Sequence, residues 1–182
     1  MRGVIRALLA TAALGAGLGA AAAQAAQDRP TPSGLPVPRY VSLKFDKVNA
    51  RSGPGDDHRT LWIYRVRGLP VQVVAETSEW RRICDPEGQL VWVHKRTTDG
   101  RRTVINMNSA PAALRRRPKD SSRVVAYLNV RAIASLVRCD EDQWCRVRAD
   151  DVSGWVKAGE LWGASDAVQC RPGRPGGAAS GR

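Results

Sequence analysis

The sequence predicts an all-β fold of two tandem small β-barrels, on the strength of three observations. A segment of about 60 residues occurs twice. Within each copy, short runs of alternating apolar and polar residues lie between turn signals. No run has the periodicity of an amphipathic helix. We expect the first barrel at residues 40–98 and the second at 103–163.

The repeat is visible in tryptophans and in the residues around them. "EWRRICDPEGQLVWVHK" begins at Glu79, and "QWCRVRADDVSGWVKAG" begins at Gln143. The offset is 64 positions before the turn and 63 after it, so the intervening turn differs by one residue. The matched pairs are Arg51 with Arg115, Pro54 with Pro118, Trp80 with Trp144, and Trp92 with Trp155.

Strands and turns follow from local patterns in each copy. "PVQVVAE" at 70–76 alternates apolar side chains and predicts a strand. "DPEG" at 85–88 has proline at its second position and glycine at its fourth, which favours a tight turn before the strand "QLVWVH". "DDVSG" at 150–154 predicts the equivalent turn in the second copy.

The stretch "NARSGPG" at 49–55 invites comparison with a phosphate-binding loop, but its context argues against that function. Such a loop needs a following helix with a Lys and a Ser or Thr, whereas Asp56 and Asp57 come next here. Gly53 and Gly55 can take positive φ, and Pro54 fixes its own φ. We therefore expect the stretch to bend the chain into a loop that borders a groove.

The chain ends predict export. Residues 1–25 begin with arginines, continue as an Ala- and Gly-rich apolar run and finish in small residues, as in a cleaved signal peptide. A membrane anchor is the alternative, but the run is poor in bulky apolar residues. We expect no transmembrane segment in the mature chain and a periplasmic or secreted location. Residues 26–39 are a Pro-rich lead-in, and residues 164–182 predict a disordered tail.

The formal net charge is +12, and removal of the signal peptide with Arg2 and Arg6 leaves +10. A GC-rich genome would produce this composition, and so would selection for an anionic partner. Export argues against nucleic acid as that partner. Phosphates and carboxylates of a bacterial envelope are the anions that remain.

Four segments together resemble the bacterial SH3 domain, also called SH3b: "VNARSGPG", "LPVQVVAE", "EWRRI" and "GQLVWVH". The first copy departs from the usual closing G-W-V, since Gly88 precedes Val91 by three residues. The second copy keeps "QWCRV" and "SGWV" but has "AALRRRP" at its opening. The resemblance implies a binding role toward cell-wall peptides or protein partners, without catalysis by the domain.

Four cysteines allow three complete pairings. Cys139 and Cys145 flank the predicted turn "DEDQW", so we expect them to form a disulfide across the hairpin. Cys84 and Cys170 remain, and their pairing would tie the tail to the first barrel. A zinc site is not predicted, because there is no CxxC and the two histidines are isolated.

Catalysis is not predicted, and neither is a cofactor. Cys84 with His94 is the one Cys–His combination to consider, on strands joined by one turn. A third orienting group is missing from any recognisable motif, so Cys84 is better read as a strand residue or half of a disulfide.

Two sets of residues are candidates for ligand binding. The first would line a groove beside the loop after the opening motif, with Trp62 and Tyr64 at alternate positions on one strand face. His58 has an alternative reading as an exposed, inert loop residue. The second set is an arginine cluster at the matching place in the second copy, which suits carboxylate or phosphate but is also compatible with a solvated loop. The candidates are Asp57, His58, Arg59, Trp62 and Tyr64, and then Arg115, Arg116 and Arg117.

The functional expectation is an exported, non-enzymatic binding module. It would recognise peptidoglycan peptides or another anionic component of the cell envelope. The alternative is a periplasmic adaptor that docks a segment of an envelope protein.

Overall fold

The computed structural model describes residues 31–165 and 167–170, which form two β-sheets one after the other. The predicted signal peptide and residues 171–182 of the predicted tail lie outside the described residues. The described part contains no α-helix, and none of its segments is a helix long and apolar enough to cross a membrane. The all-β prediction is confirmed.

The first sheet has seven strands, joined antiparallel in the order β3-β2-β6-β5-β4-β1-β7. A 3-10 turn at Lys95–Thr97 separates its last two strands. We call this sheet with its connections the first barrel. Its strands are β1 (Arg39–Leu43), β2 (Val48–Arg51), β3 (Thr60–Tyr64), β4 (Pro70–Glu76), β5 (Trp80–Cys84), β6 (Leu90–His94) and β7 (Thr98–Asp99).

The second sheet has six strands in the order β10-β9-β13-β12-β11-β8 and ends in a 3-10 turn at Ala158–Glu160. It repeats the path of the first sheet, and we call it the second barrel. Its strands are β8 (Thr103–Ile105), β9 (Ala112–Arg115), β10 (Val124–Leu128), β11 (Ile133–Cys139), β12 (Trp144–Ala149) and β13 (Val152–Lys157).

The strand register confirms the repeat residue by residue. Arg51 lies opposite Trp92 where β2 meets β6, and Arg115 lies opposite Trp155 where β9 meets β13. The two copies therefore place the same arginine and tryptophan at the same point of the same sheet.

The departure of the first copy from G-W-V has a packing explanation. Gly154 of β13 lies against Leu114, and a Cβ at Gly154 would come 2.6 Å from the Leu114 Cβ. The matching positions in the first copy are Val91 and Ala50, both buried in its core. A large residue on one strand thus accompanies a small one on the other, with the sizes exchanged between copies.

Each barrel has its own core, and the two cores meet. Ile105 of β8 is buried in the core of the first barrel, and Ile133 and Trp162 pack against that same core. The Trp162 ring stands edge-on to Tyr40 with centroids 5.2 Å apart. Burial of these side chains at the junction fixes the barrels against each other.

The expected Cys139–Cys145 pair and the possible Cys84–Cys170 pair are both disulfide-bonded. Cys139 joins Cys145 across the β11–β12 hairpin, where the two residues are directly paired. Cys84 joins Cys170 across 86 positions.

The predicted disordered tail begins too early, because its first residues are bound to the barrels. Ala164 is buried, Gln72 Nε2 donates to the Ala167 carbonyl at 2.8 Å, and the Gln169 amide donates to Gln72 Oε1 at 2.9 Å. Cys170 completes this attachment through its disulfide. Gln72 is a buried polar residue of β4, and the tail satisfies its side chain.

Candidate functional site

The loop that follows β2 is held in shape by Arg51. Its Nη1 donates to the carbonyls of Asp56 at 2.9 Å and His58 at 2.8 Å, and its Nη2 donates to Asp56 Oδ1 at 2.9 Å. One guanidinium therefore satisfies three acceptors of the loop, which fixes the bend that "NARSGPG" begins.

Neither Gly53 nor Gly55 adopts a left-handed backbone conformation, and both lie close to side chains of the same loop. Positive φ occurs elsewhere among the described glycines, so the expectation for Gly53 and Gly55 is wrong. A Cβ at Gly53 would come 2.5 Å from His58 Cε1. The imidazole of His58 folds over the glycine, so a Cβ at Gly53 would require this exposed side chain to move.

A cleft of about 190 Å³ opens beside this loop, between β2, β5 and the 3-10 turn after β6. We call it the Trp80 cleft. Trp80 is almost fully buried and presents its indole as one wall, and Asp56 brings the clamped loop to the rim. The lining residues are Lys47, Val48, Asn49, Arg51, Asp56, Trp80, His94, Arg96 and Thr97.

His94 is fixed in one orientation at the back of the cleft. Its Nδ1 accepts a hydrogen bond from the Arg96 amide at 3.2 Å, which leaves Nε2 facing the Glu79 carboxylate at 3.8 Å. Its ring lies edge-on to Trp80 with centroids 5.2 Å apart. These contacts make His94 a rigid part of the wall.

Two cations on the rim are available to a ligand. Lys47 and Arg96 are exposed, and no ion pair joins either of them to an acidic side chain among the described residues. Arg51 is occupied by the loop, and its guanidinium lies 5.8 Å from the Trp80 ring centroid. The cleft therefore combines an aromatic wall with two unpaired positive charges.

The model of the bacterial SH3 domain matches this chain twice, at residues 44–100 and 108–163. The chain belongs to the bacterial SH3 family. The resemblance inferred from the sequence is confirmed, and so are its tandem copies. Domains of this family often act as binding modules. No curated protein matches the chain.

Two solved structures are similar to parts of this tandem SH3 chain. NlpC2 from Trichomonas vaginalis aligns with 12% identity and a TM-score of 0.32, over 69% of this chain and 48% of its own. NlpC1 from the same organism aligns with 13% identity and a TM-score of 0.31, over 69% and 45%. This chain thus spans about half of their length.

The residues predicted to line a groove in the first SH3 domain lie in two different places, on a loop and against the core. Asp57, His58 and Arg59 are exposed on the clamped loop. Trp62 and Tyr64 pack against the core of the first barrel, with their rings edge-on at 6.0 Å. Trp62 and Tyr64 do share one face of β3, as their alternation predicted, but that face packs against the core of the first barrel.

Tyr64 has a buried polar partner that explains its position. Its hydroxyl donates to Asp85 Oδ2 at 2.8 Å, and Asp85 is itself buried. Burial raises the pKa of Tyr64 well above its ordinary range, and the Asp85 carboxylate raises it further. The hydroxyl therefore stays a hydrogen-bond donor, and the pair ties β3 to the turn after β5.

The arginine cluster of the second SH3 domain divides in the same way. Arg115 Nη1 donates to the Ser122 carbonyl at 2.9 Å, so Arg115 clamps its loop as Arg51 does. Arg116 and Arg117 are exposed. The match of Arg115 with Arg51 in the sequence repeat was the signal that could have predicted this loop-holding role for Arg115.

Sequence reasoning missed Lys47 and Arg96 and treated Trp80 only as a repeat marker. Cys84 and His94, the Cys–His combination considered from the sequence, do not come together either. Cys84 lies opposite Leu90, and His94 lies opposite Trp80 at the other end of the β5–β6 hairpin. Cys84 is also bonded to Cys170, so its sulfur is not a free thiolate.

Proposed function

We propose that this chain is an exported, non-catalytic binding protein whose first SH3 domain takes carboxylate-bearing peptides of the cell wall into the Trp80 cleft. The observation that carries the proposal is the pair of unpaired cations, Lys47 and Arg96, beside a rigid indole wall.

The chemistry of the cleft suits a short peptide with a free carboxylate. Ammonium and guanidinium groups form charge-assisted hydrogen bonds with a carboxylate. The Trp80 indole offers apolar contact for the peptide backbone or an aliphatic side chain. Asn49 is exposed on the same rim and can donate and accept hydrogen bonds from a peptide group. Wall stem peptides carry these features.

Export is supported by the cysteines and by the chain ends. Two disulfides suit an oxidising compartment outside the cytoplasm. The predicted signal peptide at residues 1–25, and the net charge of +10 that its removal leaves, fit a protein that acts among the anions of an envelope.

A role in binding rather than catalysis is part of the proposal. All four cysteines are paired in disulfides, which removes thiolate nucleophiles from consideration. His94 has one ring nitrogen engaged with the Arg96 amide, and its neighbours position it as a wall rather than as a base poised at a nucleophile.

Calorimetric titration tests the cleft directly. A synthetic stem tripeptide with free carboxylates should bind the full chain, and the same peptide amidated at its carboxylates should bind at least about tenfold more weakly. Lys47→Ala with Arg96→Ala should cause a similar loss.

The matched control removes two exposed cations outside the cleft, Arg65→Ala with Lys119→Ala. It changes the net charge equally and should leave the affinity within about twofold. Equal losses in both double variants would mean that net charge, not the cleft, holds the peptide. Equal binding of the acid and amide peptides would reject carboxylate recognition.

A protein-docking role is the second candidate, favoured by the free edge of the second sheet. Within residues 31–165 and 167–170, strand β10 pairs only with β9, and its Tyr127 is 64% exposed with Val125 beside it. An exposed edge strand can accept a strand from a partner. Crosslinking in an envelope extract to one dominant protein, lost in Tyr127→Ser, would support the adaptor over the wall-binding role.

A further inference from the structure

A second cleft, of about 260 Å³, lies between the two barrels. We call it the inter-barrel cleft. Its volume is a little below the roughly 300–1,000 Å³ of pockets for drug-sized ligands, which suits a small metabolite-sized group. The lining residues are Ser42, Arg67, Gly68, Arg101, Thr103, Ile133, Ala134, Ser135, Arg148, Ala149 and Asp150.

The walls of this cleft are held in place by the junction of the barrels. Thr103 Oγ1 donates to the Gly68 carbonyl at 2.7 Å, which joins β8 to the turn before β4. Ile133 packs against the core of the first barrel from the start of β11. Because the cleft is built across a packed junction, its backbone walls are held in place, and a ligand would order only the exposed side chains that line it.

Three arginines from different elements line the inter-barrel cleft. Arg67 comes from the first barrel, Arg101 from the connection between barrels, and Arg148 from β12 of the second. Arg101 is paired with Asp99 at 3.0 Å. Arg67 and Arg148 are exposed and have no ion pair among the described residues.

One acid and two hydroxyls accompany the arginines. Asp150 lies at the β12–β13 turn, and the hydroxyls are those of Thr103 and Ser135. A cleft for a bare anion would gain nothing from a carboxylate, because like charges repel. A carboxylate among arginines suits a ligand that carries both an anion and neutral hydroxyl groups, since the carboxylate accepts hydrogen bonds from hydroxyls.

We propose that the inter-barrel cleft binds a sugar phosphate monoester. The guanidinium groups of Arg67 and Arg148 donate hydrogen bonds to the phosphate oxygens. Asp150 and the Ser135 hydroxyl receive the sugar hydroxyls, and Ile133 and the neighbouring alanines contact the ring. The site needs both barrels, which gives the tandem arrangement a function separate from the Trp80 cleft.

Titration of the full chain with glucose 6-phosphate as the probe tests the proposal. Glucose and inorganic phosphate are the comparison ligands, and each should bind at least about tenfold more weakly, because each makes only part of the contacts. Binding of inorganic phosphate as tight as that of glucose 6-phosphate would overturn the sugar assignment. Absence of saturable binding by glucose 6-phosphate would overturn the site.

Arg67→Ala with Arg148→Ala should weaken glucose 6-phosphate binding at least about tenfold. The matched control is Arg65→Ala with Arg146→Ala, since each residue is exposed and lies two positions from its counterpart outside the cleft. The control should bind as the wild type does, and equal losses in the two variants would contradict the proposal. Lys47→Ala with Arg96→Ala should retain glucose 6-phosphate binding, which keeps this test independent of the Trp80 cleft.

Discussion

Glu76 provides the sharpest test of how the chain before β1 is held, because its carboxylate is 2% exposed and joins three elements. It accepts from Arg39 Nη2 at 2.6 Å and from the Ser33 amide at 3.1 Å, with a further bond from the Ser33 hydroxyl. Arg81 Nε lies 3.5 Å away. Residues of the predicted lead-in are therefore bound to the end of β4.

Desolvation raises the pKa of Glu76, but hydrogen bonds from Ser33 and Arg39 outweigh it and lower the pKa from 4.5 to about 2. The folded state thus keeps the carboxylate charged where the unfolded chain would protonate it. The resulting stability is present above pH 4.5 and is lost as the pH falls toward 2. The difference corresponds to about 3 kcal/mol.

Glu76→Gln should accordingly lower the free energy of unfolding in urea by about 3 kcal/mol at pH 7. The deficit should shrink toward zero as the pH approaches the pKa of Glu76, since the wild type then loses the same charge. Glu79→Gln is the control, because Glu79 is 53% exposed in its pair with Lys95, and solvent-exposed ion pairs contribute little to stability. Equal losses at pH 7, or a deficit at Glu76 independent of pH, would refute this reasoning.

Two further predictions concern packing and crosslinks. Gly154→Val should destabilise the second barrel by about 1–3 kcal/mol through its clash with Leu114. In a double-mutant cycle of urea unfolding, adding Leu114→Ala should restore part of that loss. Additive effects of the two substitutions would contradict the exchange of residue sizes between the copies. Gly159→Ala, with open space around it, should be neutral by comparison. Replacing Cys139 and Cys145 together by Ser should lower stability by about 2 kcal/mol, measured in the same way, and an unchanged midpoint would contradict a closed hairpin loop.

Sequence patterns predicted those parts of the fold that depend on local spacing. The Trp80–Trp144 match located the repeat, and "DPEG" and "DDVSG" located turns, because turn chemistry is set by a few adjacent residues. The Cys139–Cys145 bond followed from a hairpin that brings nearby residues opposite each other.

The residues of the candidate site were harder to predict from the sequence, because their positions depend on which strands are neighbours in the sheet. Alternation put Trp62 and Tyr64 on one face of β3 but could not say whether that face met the core, since the neighbouring strands were not yet ordered. Lys47, Trp80 and Arg96 are far apart in sequence and meet only when β2, β5 and the 3-10 turn after β6 assemble.

The glycines of the opening motif illustrate the same limit. The His58 ring lies over Gly53, a contact across the loop that no local backbone rule contains. Likewise, residues 167–170 were assigned to the tail together with the Gly-, Pro- and Arg-rich stretch at 171–182, yet they satisfy the buried side chain of Gln72. The start of the tail was placed too early because the buried Gln72 side chain and the Cys84–Cys170 disulfide, which hold these residues, are contacts distant in sequence.

Cosedimentation with purified sacculi at low salt tests the proposed wall binding most directly. The wild-type chain should pellet with sacculi, and Arg65→Ala with Lys119→Ala should pellet equally well. Lys47→Ala with Arg96→Ala should remain in the supernatant while keeping the wild-type unfolding midpoint. A wild-type chain that stays in solution, or a cleft variant that pellets as fully as the control, would contradict recognition of the wall by the Trp80 cleft.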